Sequence, residues 1–431
     1  MDIPLGENNR VCIVGGGPAG SFAALHLLSQ ARLRGLDLEV LIFEPRDFTK
    51  PGPSGCNRCA GILSSRLIRG LDQIGLTLPS ETIQAELNAY TIHLDGSVLS
   101  IDKPDPRRRI VSVYRGGGPR LAADTKIAGF DRFLLEQACA QGARHIPARV
   151  RKISWEGHPV VYTARKSYPA HLLVIATGVN SRAPLSTEFR YQPPPTEVMA
   201  QDEILLPPSW PPDQVGIFFK DPPGLVFGAL IPKGRFLNIS LLGRGMTIDS
   251  ISSFIETQDL DTSLISADYS LCGCNPRIAV GPARNYYGQR WVSVGDAAVT
   301  RLYKDGIGSA FYTTQLAMQT AVNQGVSNAA FQNGYAPYCR RIAIDNFYGR
   351  LLFRLWAVNM RNPRLLRVWK NAVVCEADLP PDQRVHIRIL WGMFTGDEPY
   401  RDLFYLTMSP QSLRGLWAGF RSSRFAHSNK R

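Results

Sequence analysis

The chain has 431 residues, a hydrophobic fraction of 44% and a formal net charge of +13, from 49 basic and 36 acidic side chains. A chain this long divides its core among two or three domains, and its apolar content excludes a disordered protein. No run approaches the roughly 18 uninterrupted apolar residues of a membrane-spanning helix, and the N-terminus, with Asp2 and Glu7, shows no basic-then-apolar leader. The eight cysteines are dispersed, so a reducing, cytoplasmic setting is expected. The basic surplus suits nucleic acid, a membrane surface or an anionic ligand; no nucleic-acid-binding motif accompanies it, and no nucleic-acid partner is expected.

Val11 to Val14 is a short apolar run, as in a buried parallel strand. It leads into Gly15-Gly-Gly17-Pro18-Ala19-Gly20. Gly15 permits a tight turn, Gly17 lets backbone approach a pyrophosphate, and Gly20 lets the next helix pack on the strand. That helix begins by Phe22, and its N-terminus favours anionic phosphates. Leu38 to Phe43 reads as a second strand ending in Glu44, placed to accept hydrogen bonds from a ribose. Strand, glycines, helix, strand and acid together predict dinucleotide binding.

Gly55-Cys56-Asn-Arg58-Cys59-Ala60-Gly61 follows. Cys59 beside a cofactor is one reading, a Cys56–Cys59 redox disulfide another, and a zinc site with Cys272 and Cys274 a third. Two ordinary thiols is the plainest. Arg58 would lower a neighbouring thiol pKa, as a reactive role needs. The disulfide reductases carry a second GxGxxG, and Gly116-Gly-Gly-Pro lacks the following glycine and helix.

Leu87 to Leu94 with Asp95-Gly96 predicts a strand and hairpin turn. Arg107-Arg108-Arg109 reads as a solvated loop, Ile110 to Tyr114 as a strand, and Arg132 to Ala140 as a helix after Gly129-Phe130-Asp131. Ala170 to Ile175 is a buried strand ending in Ala176-Thr177-Gly178. From about 186 to 275 the pattern is rich in proline and strands, as in Val215–Phe219 and Leu237–Leu242. Arg290 to Gly295 is another strand, with Asp296 at its end able to bind a ribityl hydroxyl of FAD. Gly306-Ile307-Gly308 opens a helix whose first amides can face a flavin's N1–C2 edge, and Asp305 fits an N-cap. Two such motifs, far apart in the chain, predict one flavin.

Helical patterns dominate thereafter. Leu413, Leu416, Trp417 and Phe420 recur at helical spacing, with Arg414, Arg421 and Arg424. Packing of tail helices is the plainer reading, and a basic amphipathic helix lying on an anionic bilayer is the other. Gly415 and Gly419 weaken the helix prediction. The seven histidines show no HExxH, no GxSxG elbow is present, and Asp397-Glu398 reads as a turn.

The sequence resembles the geranylgeranyl reductase family, within a larger flavoprotein class that includes p-hydroxybenzoate hydroxylase, flavin halogenases and lycopene cyclases. The likeness spans about residues 9 to 345 and rests on Gly15–Gly20, Glu44, Cys59-Ala60-Gly61-Ile62, Gly129-Phe130-Asp131, Ala176-Thr177-Gly178, Gly295-Asp296-Ala-Ala298 and Gly306-Ile307-Gly308. The Cys-Ala-Gly-Ile piece favours the reductases. The resemblance implies an α/β fold: a Rossmann-like FAD-binding domain (1–85, 116–185, 275–330), an inserted antiparallel β-sheet substrate domain (86–115, 186–274) and a C-terminal helical region (331–431). It implies FAD against Gly15, Gly17, Pro18, Ala19, Gly20, Glu44, Arg58, Cys59, Ala60, Gly61, Ala176, Thr177, Gly178, Gly295, Asp296, Gly306, Ile307 and Gly308, with no metal. It further implies NAD(P)H or another external reductant, a small hydrophobic or prenyl substrate against Phe219, Phe227, Ala229 and Ile231, and Cys59 with Cys56 as the catalytic thiols. The family saturates isoprenoid double bonds of lipids and prenylated precursors.

Three departures stand out. Ala229 replaces a large aromatic of the family's Tyr-x-Trp-x-Phe-Pro strand, the glutamate of the Cys motif is missing, and Ile127 stands where an arginine precedes the Phe-Asp pair. Rival chemistries are a flavin monooxygenase, which usually shows Asp-Gly where this chain has Ala176-Thr-Gly178, and a halogenase, whose Trp-x-Trp-x-Ile-Pro is absent. A flavin-binding protein without activity is the non-enzymatic alternative.

Overall fold

A computed structural model describes residues 3–55, 60–94, 97–120, 127–258, 260 and 272–428. Cys56, Arg58 and Cys59, and the turn Asp95-Gly96, lie outside the described residues.

The strand Asn9–Val14 lies inside a six-stranded sheet, in the order Tyr287–Gly288, Trp291–Ser293, Leu172–Ile175, Asn9–Val14, Leu38–Phe43, Arg144–Ile146. Every pairing is parallel except the outer hairpin of Tyr287–Gly288 with Trp291–Ser293. The alternation of side chains explains why the inner strands read as unbroken apolar runs. Val11, Ile13, Val40, Ile42 and Val174 face helices, including Pro18–Leu33, Phe130–Ala140 and Gly306–Asn323. Cys12, Val14, Leu41, Phe43 and Ile175 face a small antiparallel sheet of Lys152–Trp155, Pro159–Tyr162 and Ser167–Pro169. Both sides are covered, so polar residues have no place on either.

A second sheet has seven strands, in the order Arg277–Ala279, Thr196–Leu205, Phe236–Gly243, Leu225–Lys233, Gln214–Phe218, Ala89–Leu94, Ser97–Asp102. The expectation of an antiparallel sheet holds except at one seam. Gln214–Phe218 runs parallel to Ala89–Leu94, where two remote chain segments meet and no hairpin constrains direction. One face, with Leu230, Ile239 and Phe218, packs on the helix Ile248–Thr257. The other, with Val215, Ile217, Phe227, Ala229 and Ile231, is covered by tail helices that bring Trp356, Trp391 and Phe394.

The tail comprises Ala336–Arg361, Pro363–Glu376, Val385–Thr395, Tyr400–Thr407 and Pro410–Ser428. Gly415 and Gly419 do not break the last helix; they seat it. A Cβ on Gly419 would lie 2.5 Å from the Val368 carbonyl, and one on Gly415 2.5 Å from the His386 ring. Leu416 packs inward, whereas Leu413 and Trp417 are 59% and 62% exposed. The solvated-loop reading of the arginine run holds for Arg107 but not for Arg108. Arg108 donates to Glu398 at 3.0 Å and approaches Asp397 at 3.9 Å, tying the second sheet to the tail.

Candidate functional site

The two glycine motifs meet. At the first, Gly15 turns with φ of 108°, and a Cβ there would stand 2.5 Å from the Ala176 carbonyl. A Cβ on Gly20 would sit 1.8 Å from the Gly15 carbonyl, so only glycine lets the helix Pro18–Leu33 start against the turn. At the second, Gly295 has φ of 59° and donates its amide to the Thr313 hydroxyl at 3.0 Å. A Cβ on Gly295 would be 2.9 Å from the Ala19 methyl. Residues 276 positions apart in the chain, 19 and 295, thus touch at the head of one sheet.

A cavity of about 720 Å³ opens there. Gly15, Gly17, Pro18, Ala19, Glu44, Ala60, Gly61, Ala176, Thr177, Gly178, Asp296, Gly306 and Ile307 all line it. Gly20, Gly295 and Gly308 do not; they act one layer behind. Gly308 leaves room for Asp305, whose carboxylate would be 2.3 Å from a Cβ. Phe227, Ala229 and Ile231 form the opposite wall, with Val215 and Ile217. Phe219 is not in the cavity wall: it packs between Trp356 and Phe394, with ring centroids 5.6 and 5.7 Å away. It continues the alternation of Val215 and Ile217, on the same face, but lies past the strand's end, where the tail helices cover it.

Polar groups are distributed along the cavity. Glu44, 4% exposed, accepts from the Gly16 amide at 2.9 Å and the Arg46 amide at 3.0 Å, which fixes its carboxylate beside the first turn. Oε1 also lies 3.4 Å from the Arg46 guanidinium, and Oε2 keeps a lone pair for a ligand hydroxyl. Burial pushes the Asp296 carboxyl up, partly offset by the Thr300 hydroxyl and the Arg115 charge. Burial also raises Asp305 to about 6, offset by Arg301 and the Ser64 hydroxyl. Asp305 occupies the N-cap position but does not cap; with φ of 54° it accepts from Ser64 Oγ at 3.0 Å instead. The helix Gly306–Asn323 therefore presents its first amides to the cavity at Gly306 and Ile307. Arg115 chelates Asp131, from Nη2 at 2.9 Å and from Nε. Arg46, Arg115, Arg149, Arg182, Arg277 and Arg301 outnumber the lining carboxylates.

Sequence reading missed Lys304, Tyr303, Phe394 and Thr395, which also line the cavity. The last two come from the tail, where an apolar helix gives no sign of which residue faces a ligand. A serine–histidine–glutamate arrangement also escaped notice. His386 contacts Glu376 at 2.6 Å and Ser412 at 3.3 Å, all inside the tail. None of the three lines the cavity, and Glu376 also accepts the amides of His386 and Ile387. The arrangement clamps three helices together.

No known protein family and no curated protein matches the chain by sequence. Solved structures do. A geranylgeranyl bacteriochlorophyll reductase-like protein from Thermoplasma acidophilum aligns over 95% of this chain and 98% of its own, with a TM-score of 0.61 and 16% identity. A tryptophan 6-halogenase from Streptomyces toxytricini covers 97% of each chain at a TM-score of 0.58 and 13% identity. A 2-methyl-3-hydroxypyridine-5-carboxylic acid oxygenase covers 82% of this chain and 92% of its own at 0.58 and 16%. The shared feature is the fold, a Rossmann-type sheet joined to a second sheet and a helical C-terminal region. The geranylgeranyl reductase-like protein, the oxygenase and the halogenase resemble the chain in this alike.

Proposed function

We propose that the chain is an FAD-dependent oxidoreductase that reduces a carbon–carbon double bond of a small hydrophobic or isoprenoid substrate. The observation that carries this reading is the contact of the two glycine turns on one cavity, with Gly295 against Ala19. The residues fit the cofactor. Asp296 faces the cavity as a carboxylate whose burial the Thr300 hydroxyl and the Arg115 charge only partly offset, so a ligand hydroxyl would stabilise it, and Glu44, held by two backbone amides, lines the same space. Ribose and ribityl hydroxyls supply such partners. The free amides at Gly306 and the lining arginines suit an anionic dinucleotide.

When bound, FAD supplies a hydride from its reduced ring, and an external donor such as NAD(P)H restores it. The chain's own groups position and enclose. Ala176 to Gly178 and Gly15 to Ala19 bound the cofactor side, while Phe227, Ala229 and Ile231 hold an apolar substrate and exclude water. The small Ala229 widens that wall and suits a bulkier substrate body than the aromatic residue would admit. Cys59 is the proposed proton donor and Cys56 its companion. Ala60 and Gly61, the two residues that follow Cys59 in the chain, line the cavity.

The test is anaerobic reduction of the flavin followed by addition of prenyl substrates, with flavin reoxidation read in the visible band. Reoxidation by a prenyl compound supports the reductase. Reoxidation only by oxygen with an aromatic substrate supports the second reading, a monooxygenase or halogenase, which the likeness to those enzymes favours. Cys59→Ala and Cys56→Ala are expected to lower turnover; unchanged turnover in both leaves those thiols outside the chemistry.

A peripheral membrane contact is the further proposal for the tail. No helix among the described residues is long and apolar enough to cross a membrane. Leu413 and Trp417 nevertheless point outward, beside Arg414 and Arg421, and together suit an anionic lipid surface.

A further inference from the structure

Lys304 lies between two residues whose backbone is left-handed, Tyr303 with φ of 62° and Asp305 with φ of 54°. L residues rarely adopt that conformation, and such reversals persist where a site requires them. Here they carry the Lys304 side chain away from the start of the helix Gly306–Asn323 and across to the second sheet. Its Nζ stands 4.1 Å from the Phe227 ring centroid and 5.8 Å from that of Phe394. The amine thus occupies the border between the glycine-turn half of the cavity and its apolar half.

Among the described residues no carboxylate serves this amine. Asp305 turns to Ser64, Glu197 accepts from the Tyr303 hydroxyl at 3.4 Å, and Asp345 faces Arg301 at 3.7 Å. Arg115 is held by Asp131, and Arg301 donates to the carbonyls of Gly396 and Glu398. The other charged groups of the cavity wall are Asp296, Arg277, Arg149, Arg182 and Glu44, the last paired with Arg46 at 3.4 Å. On the strand Leu225–Lys233 the titratable group is Lys233, bound to Glu203 at 2.8 Å. On the helix Val385–Thr395 they are His386, bound to Glu376, and Arg388, bound to Glu398. The contrast with Lys233 is instructive: that lysine is buried with its counter-ion, whereas Lys304, half-buried at the cavity wall, has none. Burial alone brings the Lys304 amine down to about 7.

We propose that Lys304 is the anion-recognition group of this cavity, receiving a carboxylate or phenolate oxygen of a substrate whose apolar body lies along Phe227, Ala229 and Ile231. This rests on the reading of the cavity as a flavin and substrate site, and it narrows the substrate to an apolar acid. An uncharged hydrocarbon would leave the amine unpartnered in an apolar wall, at the cost of its desolvation. An oxyanion supplies a charge-assisted hydrogen bond and draws a proton onto the amine.

The proton makes the test. Titration calorimetry on the FAD-loaded protein, in buffers of different ionisation enthalpy, would compare 4-phenylbutyrate with 4-phenylbutyramide. The acid, ionised throughout, is expected to bind roughly tenfold tighter than the amide. Its binding should take up close to one proton at about pH 8.5, where the free amine is neutral, and far less at about pH 6, where it is already charged. Lys304→Met should abolish both the preference and the uptake while keeping the flavin and the melting temperature. Lys304→Arg should keep the preference without the uptake. Equal binding of acid and amide, no binding of either at millimolar concentration, or an uptake that survives in Lys304→Met would overturn the proposal. Failure to load FAD would count against the flavin reading instead, and the acid–amide comparison can still be run on the apoprotein.

Discussion

Gly295→Ala probes the meeting of the two turns directly. The added methyl faces two costs. Alanine at φ of 59° sits in the left-handed region, a penalty of about 1–2 kcal/mol. It also lands 2.9 Å from the Ala19 methyl and 3.5 Å from that of Ala310, and overpacking of this kind costs about 1–3 kcal/mol. The expected loss is therefore about 2–5 kcal/mol, seen as a lower urea midpoint with unchanged slope. The two costs separate in a double mutant. Ala19→Gly removes the methyl that is struck, so Gly295→Ala with Ala19→Gly should recover about 1–2 kcal/mol relative to additivity, leaving the backbone penalty. The single Ala19→Gly should itself cost about 0.5–1 kcal/mol for glycine in a helix. Strict additivity of the two substitutions would refute the contact, and with it the reasoning that the remote motifs share one site.

Three more outcomes follow from the electrostatics and the surface. Arg108→Met strips the ion pair to Glu398 and leaves the buried Asp397 without its nearest cation; partial exposure of the arginine limits the expected loss to about 1–2 kcal/mol by urea melts, and a change under about 0.3 kcal/mol would refute the tether. Asp305, raised to about 6 by burial, binds its proton more tightly in the folded chain than in the unfolded one, so its cost is absent below about pH 4 and full above about pH 6. Asp305→Asn should accordingly stabilise the flavin-free protein by about 1–3 kcal/mol at pH 8 and leave it unchanged at pH 4; equal effects at both pH values would contradict the assignment. For the tail, Leu413→Glu with Trp417→Glu should abolish co-flotation with vesicles containing anionic lipid without altering the melting temperature. Flotation equal to that of the parent chain would remove the membrane contact.

The parts of the fold that could be read in the sequence are those where backbone geometry dictates residue type. Gly15, Gly20 and Gly295 occupy places where a Cβ collides or φ is positive, so the motif is a record of contacts. The apolar strands Asn9–Val14 and Leu172–Ile175 were legible because burial on both faces leaves no polar positions. The small sheet of 152–169 was not, since its strands run three or four residues and alternate too briefly to show a period. The parallel seam between Gln214–Phe218 and Ala89–Leu94 joins segments more than a hundred residues apart, which no local pattern encodes. Lys304 escaped because its neighbours in space, Phe227 and Phe394, come from an inserted sheet and a tail helix. Gly415 and Gly419 misled for a related reason: the helix–helix approach that rewards them is tertiary, whereas their cost in helix propensity is local.

The most direct measurement is the flavin content of the purified chain. After denaturation and extraction, or after reconstitution of stripped protein with FAD, absorbance in the visible band should give one FAD for each chain, with Gly20→Ala reducing it sharply. A folded, colourless protein that takes up no FAD when it is supplied would contradict the site.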